Sequence, residues 1–152
     1  VVTAMQERAL HGWRFRDKGH FEMAGYPAKI KSFAWVGDTP HLATSGADEA
    51  ICWPFDGEDG PMGRGPVSVA RNRGTFATVV NAIQGKRKVL TGFRDGAVLV
   101  AELDETKEPI PIRGSTGIEV TAMTISSDGT HVFVGDAEGN VLWGPLSAEG
   151  RS

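Results

Sequence analysis

The sequence predicts an all-β fold assembled from a repeated unit of short antiparallel strands. Two observations predict it. Turn formers are abundant, with 20 glycines and 8 prolines among 152 residues, and they punctuate short apolar runs. The same apolar pattern also recurs along the chain with a period just above 40 residues, the signature of a repeat architecture.

The repeat is anchored on four acids, Glu7, Asp48, Asp95 and Glu138, which are 41, 47 and 43 residues apart. Three residues after each stands Leu10, Ile51, Val98 or Val141, and six before each stands Val1, Leu42, Val89 or Val132. Thirteen before the last three come Trp35, Ala82 and Ile125, and eighteen before come Ile30, Ala77 and Val120. All these positions are apolar, so the length variation falls between one repeat and the next. A period of about 40–45 residues with four strands per unit is that of a β-propeller blade.

Strands a, b and c of the second blade are expected at 29–36, 41–45 and 50–55. In the third they fall at 75–82, 87–92 and 97–103, and in the fourth at 119–126, 131–135 and 140–146. The turns between them read Gly37-Asp38-Thr39-Pro40, Gln84-Gly85-Lys86 and Ser127-Asp128-Gly129, then Gly46-Ala47-Asp48-Glu49, Arg94-Asp95-Gly96 and Ala137-Glu138-Gly139. Gly, Asp and Asn tolerate the backbone of tight hairpins. Weaker outer strands d are placed near 20–24, 67–71 and 109–113, where Pro109 and Pro111 suit an edge. The blades so defined are 1–24 (partial), 25–71, 72–113 and 114–152.

Several segments resemble the WD40 family. Thr121-Ala122-Met123-Thr124-Ile125-Ser126-Ser127-Asp128-Gly129 is similar to its strand a and following turn. Leu42-Ala43-Thr44-Ser45-Gly46-Ala47-Asp48 resembles its strand b and turn acid, and Glu138-Gly139-Asn140-Val141-Leu142-Trp143 its strand c. Gly19-His20 resembles the family's Gly-His dipeptide. The resemblance implies a protein- or peptide-binding scaffold that uses the loop face of a propeller. It departs from the family at the buried Ser/Thr–His–Asp–Trp network. The threonine place is kept as Thr3, Thr44 and Thr91 but is Val134 in the last blade, and the tryptophan place is filled by Trp13 alone. Trp53 and Trp143, one residue earlier, are expected on the opposite strand face, packing between blades, with the network incomplete and His20 without its usual role.

Val1–Met5 reads as a strand b without a strand a, and the last blade ends near Leu146 without a strand d. By the resemblance this is about three and a half blades, the C-terminal half of a larger ring, most simply seven-bladed. The remaining blades are then expected from a missing segment, a second chain or self-association.

Composition narrows the function classes. The net charge of −3 is spread along the chain, without the basic stripe that nucleic acid requires. No apolar run approaches the roughly 18 residues of a membrane span. Cys52 is the lone cysteine, which fits a reducing, cytoplasmic setting. His11, His20, His41 and His131 show no metal-ligand spacing, so neither metal nor other cofactor is expected. Asp56-Gly57-Glu58-Asp59-Gly60 reads as a solvated connector rather than a Ca²⁺ loop, since it lacks a terminal glutamate. There is no Gly-x-Ser-x-Gly elbow, and Gly63-Arg64-Gly65 has no strand-to-helix context. A non-enzyme is therefore expected. The alternative, an enzyme or small-ligand protein using the central channel, would draw on Glu119, Lys29 and Lys31. Tyr26, Arg71, Arg73, Arg94 and Ser115 are expected in loops of the binding face that the resemblance implies, where Tyr and Arg are common anchors.

Overall fold

In the computed structural model, which describes residues 1–38 and 40–146, fourteen strands form four separate antiparallel sheets. The first sheet holds β1 (Val2–Ala4), β2 (Leu10–Trp13) and β3 (His20–Met23). The second holds β4 (Phe33–Val36), β5 (His41–Thr44), β6 (Ala50–Pro54) and β7 (Val67–Val69). The third holds β8 (Ala77–Ala82), β9 (Lys88–Phe93), β10 (Val98–Glu102) and β11 (Ile110–Arg113). The fourth holds β12 (Val120–Ile125), β13 (His131–Asp136) and β14 (Val141–Pro145). Every sheet is a simple meander, as short hairpin connections dictate. Thr39 of the expected Gly37–Pro40 turn and the residues after Leu146 lie outside the described residues.

The strands run close to their sequence-expected places, with one instructive difference. The second blade's inner strand begins at Phe33, not Lys29. The backbone N–H groups of Lys31 and Ser32 both donate to the Ser45 hydroxyl at 3.0 Å, so a side chain takes the place of ladder partners. The outer strand β7 stops at Val69 because Ala70 adopts φ +56° and Asn72 N–H turns back to the Asp48 carbonyl at 2.8 Å.

The cores lie between sheets, not within them, because each strand sends alternate side chains to opposite faces. Leu10, Phe21 and Met23 of the first sheet meet Leu42 of the second and Tyr26 and Ile30 of the loop that joins them. Val36, Ala43 and Cys52 of the second meet Val80, Val89 and Ala101 of the third. Leu90, Val98 and Val100 of the third meet Val120, Met123, Val132 and Val134 of the fourth. Close approach is needed at Gly12, where a Cβ would stand 2.3 Å from the Phe21 ring. It is needed again at Gly92, where a Cβ would stand 2.6 Å from Val120.

The two end faces of this stack carry large exposed side chains. On the first sheet Trp13 and His20 are exposed, and His11 is sandwiched between them with ring centroids 4.3 and 5.3 Å away. On the fourth sheet Phe133 and Trp143 stack in the open, 6.3 Å apart, beside the exposed Val141.

Candidate functional site

The connections β3–β4, β5–β6, β7–β8, β9–β10, β11–β12 and β13–β14 gather at one end of the sheets and make a loop face. Its scaffold is a set of hydrogen bonds from turn carboxylates and carbonyls. In the third sheet Asp95 accepts from the Ala97 N–H at 3.0 Å and from the Asn72 amide at 3.3 Å, which ties the β9–β10 turn to the β7–β8 loop. Its carbonyl accepts the N–H groups of Thr116 and Gly117 and the Ser115 hydroxyl, tying in the β11–β12 loop as well. A side chain at Gly96 would strike the Thr116 hydroxyl at 2.1 Å, and φ is +91° there, so this junction requires glycine.

In the fourth sheet the equivalent work falls to Asp136, not to Glu138, the acid picked out by the repeat. The Asp136 side chain is buried and accepts from the N–H groups of Glu138 and Asn140, the Asn140 amide, and Arg113 at 3.4 Å. Burial alone would raise its carboxyl, but these donors outweigh it and hold the group below the usual carboxylate range. The sequence carries this cap only as Asp136 followed four residues later by Asn140.

The five sequence-expected binding residues separate into distinct settings. Tyr26 requires correction: it is 8% exposed and belongs to the core between the first two sheets. Its hydroxyl bonds the Thr44 hydroxyl at 2.6 Å and accepts from the Trp53 indole N–H, also at 2.6 Å. Burial raises the Tyr26 phenol, and these two partners only partly offset that. Arg71 is exposed but paired with Glu49 at 2.7 Å. Ser115 is exposed with its hydroxyl on the Asp95 carbonyl at 3.0 Å. Arg94 is exposed, its guanidinium 5.9 Å from the Phe76 ring centre. Arg73 is exposed and, among the described residues, has no ion-pair partner.

The Tyr26–Thr44–Trp53 chain also corrects the expectation for Trp53. Leu42 pairs directly with Trp53 and Thr44 with Ile51, so Thr44 and Trp53 share one face of the second sheet. Residues opposite one another across an antiparallel pair point the same way. Trp53 packs between the first two sheets on the face opposite Pro54, as expected, but on that face it also joins a polar network, which was not expected. A polar network therefore exists in this sheet, with Tyr26 as its centre. It is not repeated: Thr91, in the place of Thr44, is fully buried with its hydroxyl unpartnered. Trp13 lies 42% exposed on the open face of the first sheet.

Lys31 and Glu119, the charges the channel alternative would draw on, form a 2.7 Å ion pair reaching from the β3–β4 loop to the β11–β12 loop. Beneath it a pocket of about 270 Å³ is lined by Ser32, Thr78, Val79 and Thr121. Cys52 is buried, which pushes its thiol up to about 12. Among the described residues, no group of three or more His, Cys, Asp or Glu is placed to hold a metal, and no helix is long and apolar enough to cross a membrane.

No family model and no curated protein matches the sequence. Solved structures do match the fold. The structure titled U3-55K and that of the RRP9 WD40 repeats each superpose with a TM-score of 0.74 over 96% of this chain, at 16% identity. The chain spans 42% of the length of each. Four antiparallel sheets stacked face against face, matched over nearly their whole length by WD40 repeats, give this chain the fold of a WD40-repeat β-propeller segment.

Proposed function

We propose that the protein is a non-catalytic scaffold whose loop face binds a protein segment bearing carboxylates, centred on Arg73 and Arg94. The observation that carries this is the unequal fate of the loop-face cations. Arg71, Arg113 and Lys31 are committed to Glu49, Asp136 and Glu119, and Lys29 and Arg8 to Gln6 and the Pro27 carbonyl. Arg73 and Arg94 have no carboxylate among the described residues, and they flank the Asn72–Asp95 bond that holds their loops together. Two forked donors on a rigid platform, one stacked on Phe76, suit bidentate capture of carboxylates. The pocket at Lys31 and Glu119 is the weaker candidate, because the two charges neutralise one another.

The open faces of the first and fourth sheets fit further propeller segments packed against them, as each inner pair of sheets packs. The fold match to 42% of longer WD40 structures supports that reading.

A peptide array probed with the labelled protein tests the scaffold reading. Acidic peptides are expected to bind over neutral and basic ones, and the double variant Arg73→Glu/Arg94→Glu is expected to lose that preference. Array binding unchanged by the charge reversal would overturn it.

A further inference from the structure

A groove of about 720 Å³ runs down the outer side of the molecule between the second and third sheets. One wall is the outer strand β7 with the buried Ala70 that ends it, and the other is the β10–β11 connection. β7 leads up into the loop face, whereas the β10–β11 connection lies at the opposite end of the sheets. The groove therefore extends from Arg71 and Arg73 at the loop face to Glu105, Lys107 and Glu108 at the other end.

Most charges along this groove are committed within the chain. Arg71 pairs with Glu49 at 2.7 Å, and Lys107 pairs with Glu102. The Glu105 carboxylate accepts the Ser68 N–H at 2.8 Å, which caps the outward edge of β7 with a charged side chain. Two charges remain, Arg73 at the loop-face end and Glu108 at the other. Both are exposed, and among the described residues neither side chain has a hydrogen bond or an ion pair. One uncommitted cation and one uncommitted anion thus stand at the two ends of a groove whose other charges are satisfied.

We propose that the groove seats one extended protein segment carrying both signs of charge, with a carboxylate on Arg73 and a lysine or arginine on Glu108. The proposal rests on the reading of Arg73 as a carboxylate anchor, and it adds a second contact, its sign and its spacing. Between the two ends lie the three residues of β7, or roughly 10 Å at about 3.3 Å per residue. An extended occupant therefore places its acid and its base about three to five residues apart. A uniformly acidic segment fits worse, because a second carboxylate at that spacing would meet Glu105 and Glu108.

The probes are end-capped Ser/Ala peptides with a central Glu, carrying an uncharged fluorophore. One set has that Glu alone, and in the others a single Lys stands one to six residues away on either side. Fluorescence polarisation with the 152-residue chain reads their affinities. A Lys three to five residues from the Glu, on at least one side, should tighten binding about two- to fivefold over Glu alone, the size of an exposed ion pair. A Lys adjacent to the Glu should give no such gain. Glu108→Lys should erase the gain and transfer it to peptides with a second Glu at the same spacing. Glu138→Lys makes the same charge change in an exposed turn of the fourth sheet and should leave the gain in place. No gain from any Lys, a gain indifferent to spacing, or one that survives Glu108→Lys or is lost equally in Glu138→Lys overturns the proposal. In each of these outcomes, binding of the Glu-only peptide that Arg73→Glu removes leaves the scaffold reading standing. Failure of every Glu-bearing peptide to bind removes both.

Discussion

Thr44, Thr91 and Val134 occupy one repeat position in three successive sheets, opposite Ile51, Leu99 and Leu142. Thr44 and Thr91 are both fully buried. The Thr44 hydroxyl donates to the Ile51 carbonyl at 2.9 Å and bonds the Tyr26 hydroxyl, whereas the Thr91 hydroxyl has no partner. Exchanging Thr for Val replaces a hydroxyl by a methyl of similar size, so the sign of its effect depends on whether the hydroxyl is used. An unsatisfied buried hydroxyl costs about 1–3 kcal/mol. Thr91→Val removes that cost, and stabilisation of about 1–2 kcal/mol is expected. At this chain length that raises Tm by roughly 3–6 °C. Thr44→Val removes two bonds from a satisfied network and should destabilise by about 1–3 kcal/mol. Both substitutions delete the same atoms from strand sites of equal burial, so unfolded-state effects largely cancel in the comparison. Thermal and urea unfolding at one fixed protein concentration measures both, because assembly shifts apparent stability. Destabilisation by Thr91→Val, or the same sign for both variants, would refute the reasoning.

Three further outcomes follow from the same contacts. Tyr26→Phe keeps the packing between the first two sheets but leaves the Trp53 indole N–H without its acceptor; a loss of about 1–2 kcal/mol is expected in urea titration, with a change in tryptophan emission. Asp128 accepts from the Ser126 hydroxyl at 2.6 Å, the Thr130 hydroxyl at 2.7 Å and the Thr130 N–H at 3.0 Å, and these hold its carboxyl at about 2, below the ordinary 3.8. Its support of the β12–β13 turn is therefore complete above pH 3.8 and is lost as pH falls through about 2; an NMR titration giving Asp128 an ordinary value would contradict that geometry. The exposed Phe133, Val141 and Trp143 predict that the isolated 152-residue chain self-associates at micromolar concentration, which light scattering reads directly.

The strand order and most strand positions were legible because inter-sheet packing imposes apolar residues at fixed distances along each repeat. Leu42, Val89 and Val132 are all buried, as the spacing required. The network was less legible. Period-2 counting put Trp53 on the face of β6 opposite Pro54, packed between sheets, where it lies, but it gives a face only within one strand and so could not show that Thr44 of β5 shares it. Cross-strand pairing settles the parity, and pairing is a property of two strands together. Tyr26 was placed in a loop correctly by its Gly25 and Pro27 neighbours, but loop location does not fix burial. Its ring has the apolar body to enter the adjacent core and a hydroxyl that found Thr44 there. Arg73 and Arg94 were legible as exposed loop cations; their lack of carboxylate partners emerged only when the other loop-face charges were seen to pair.

The uneven network bears on what makes this repeat a repeat. If a buried polar chain set the geometry, the sheet that holds it should differ from those that do not. Yet the second and third sheets share one strand order, and each packs on its neighbours through the same alternating apolar positions. The place filled by Thr44 with Tyr26 and Trp53 is filled by a lone Thr91 in one sheet and by Val134 in the next. Packing between sheet faces is therefore sufficient for the architecture, and the Tyr26 network adds local rigidity where the β3–β4 loop crosses onto the second sheet. The same logic explains where recognition can vary. Inter-sheet positions are constrained by neighbours on both sides, whereas the loops are held by backbone-directed bonds from Asp95 and Asp136 that leave side chains such as Arg73 and Arg94 free to change without disturbing the sheets beneath.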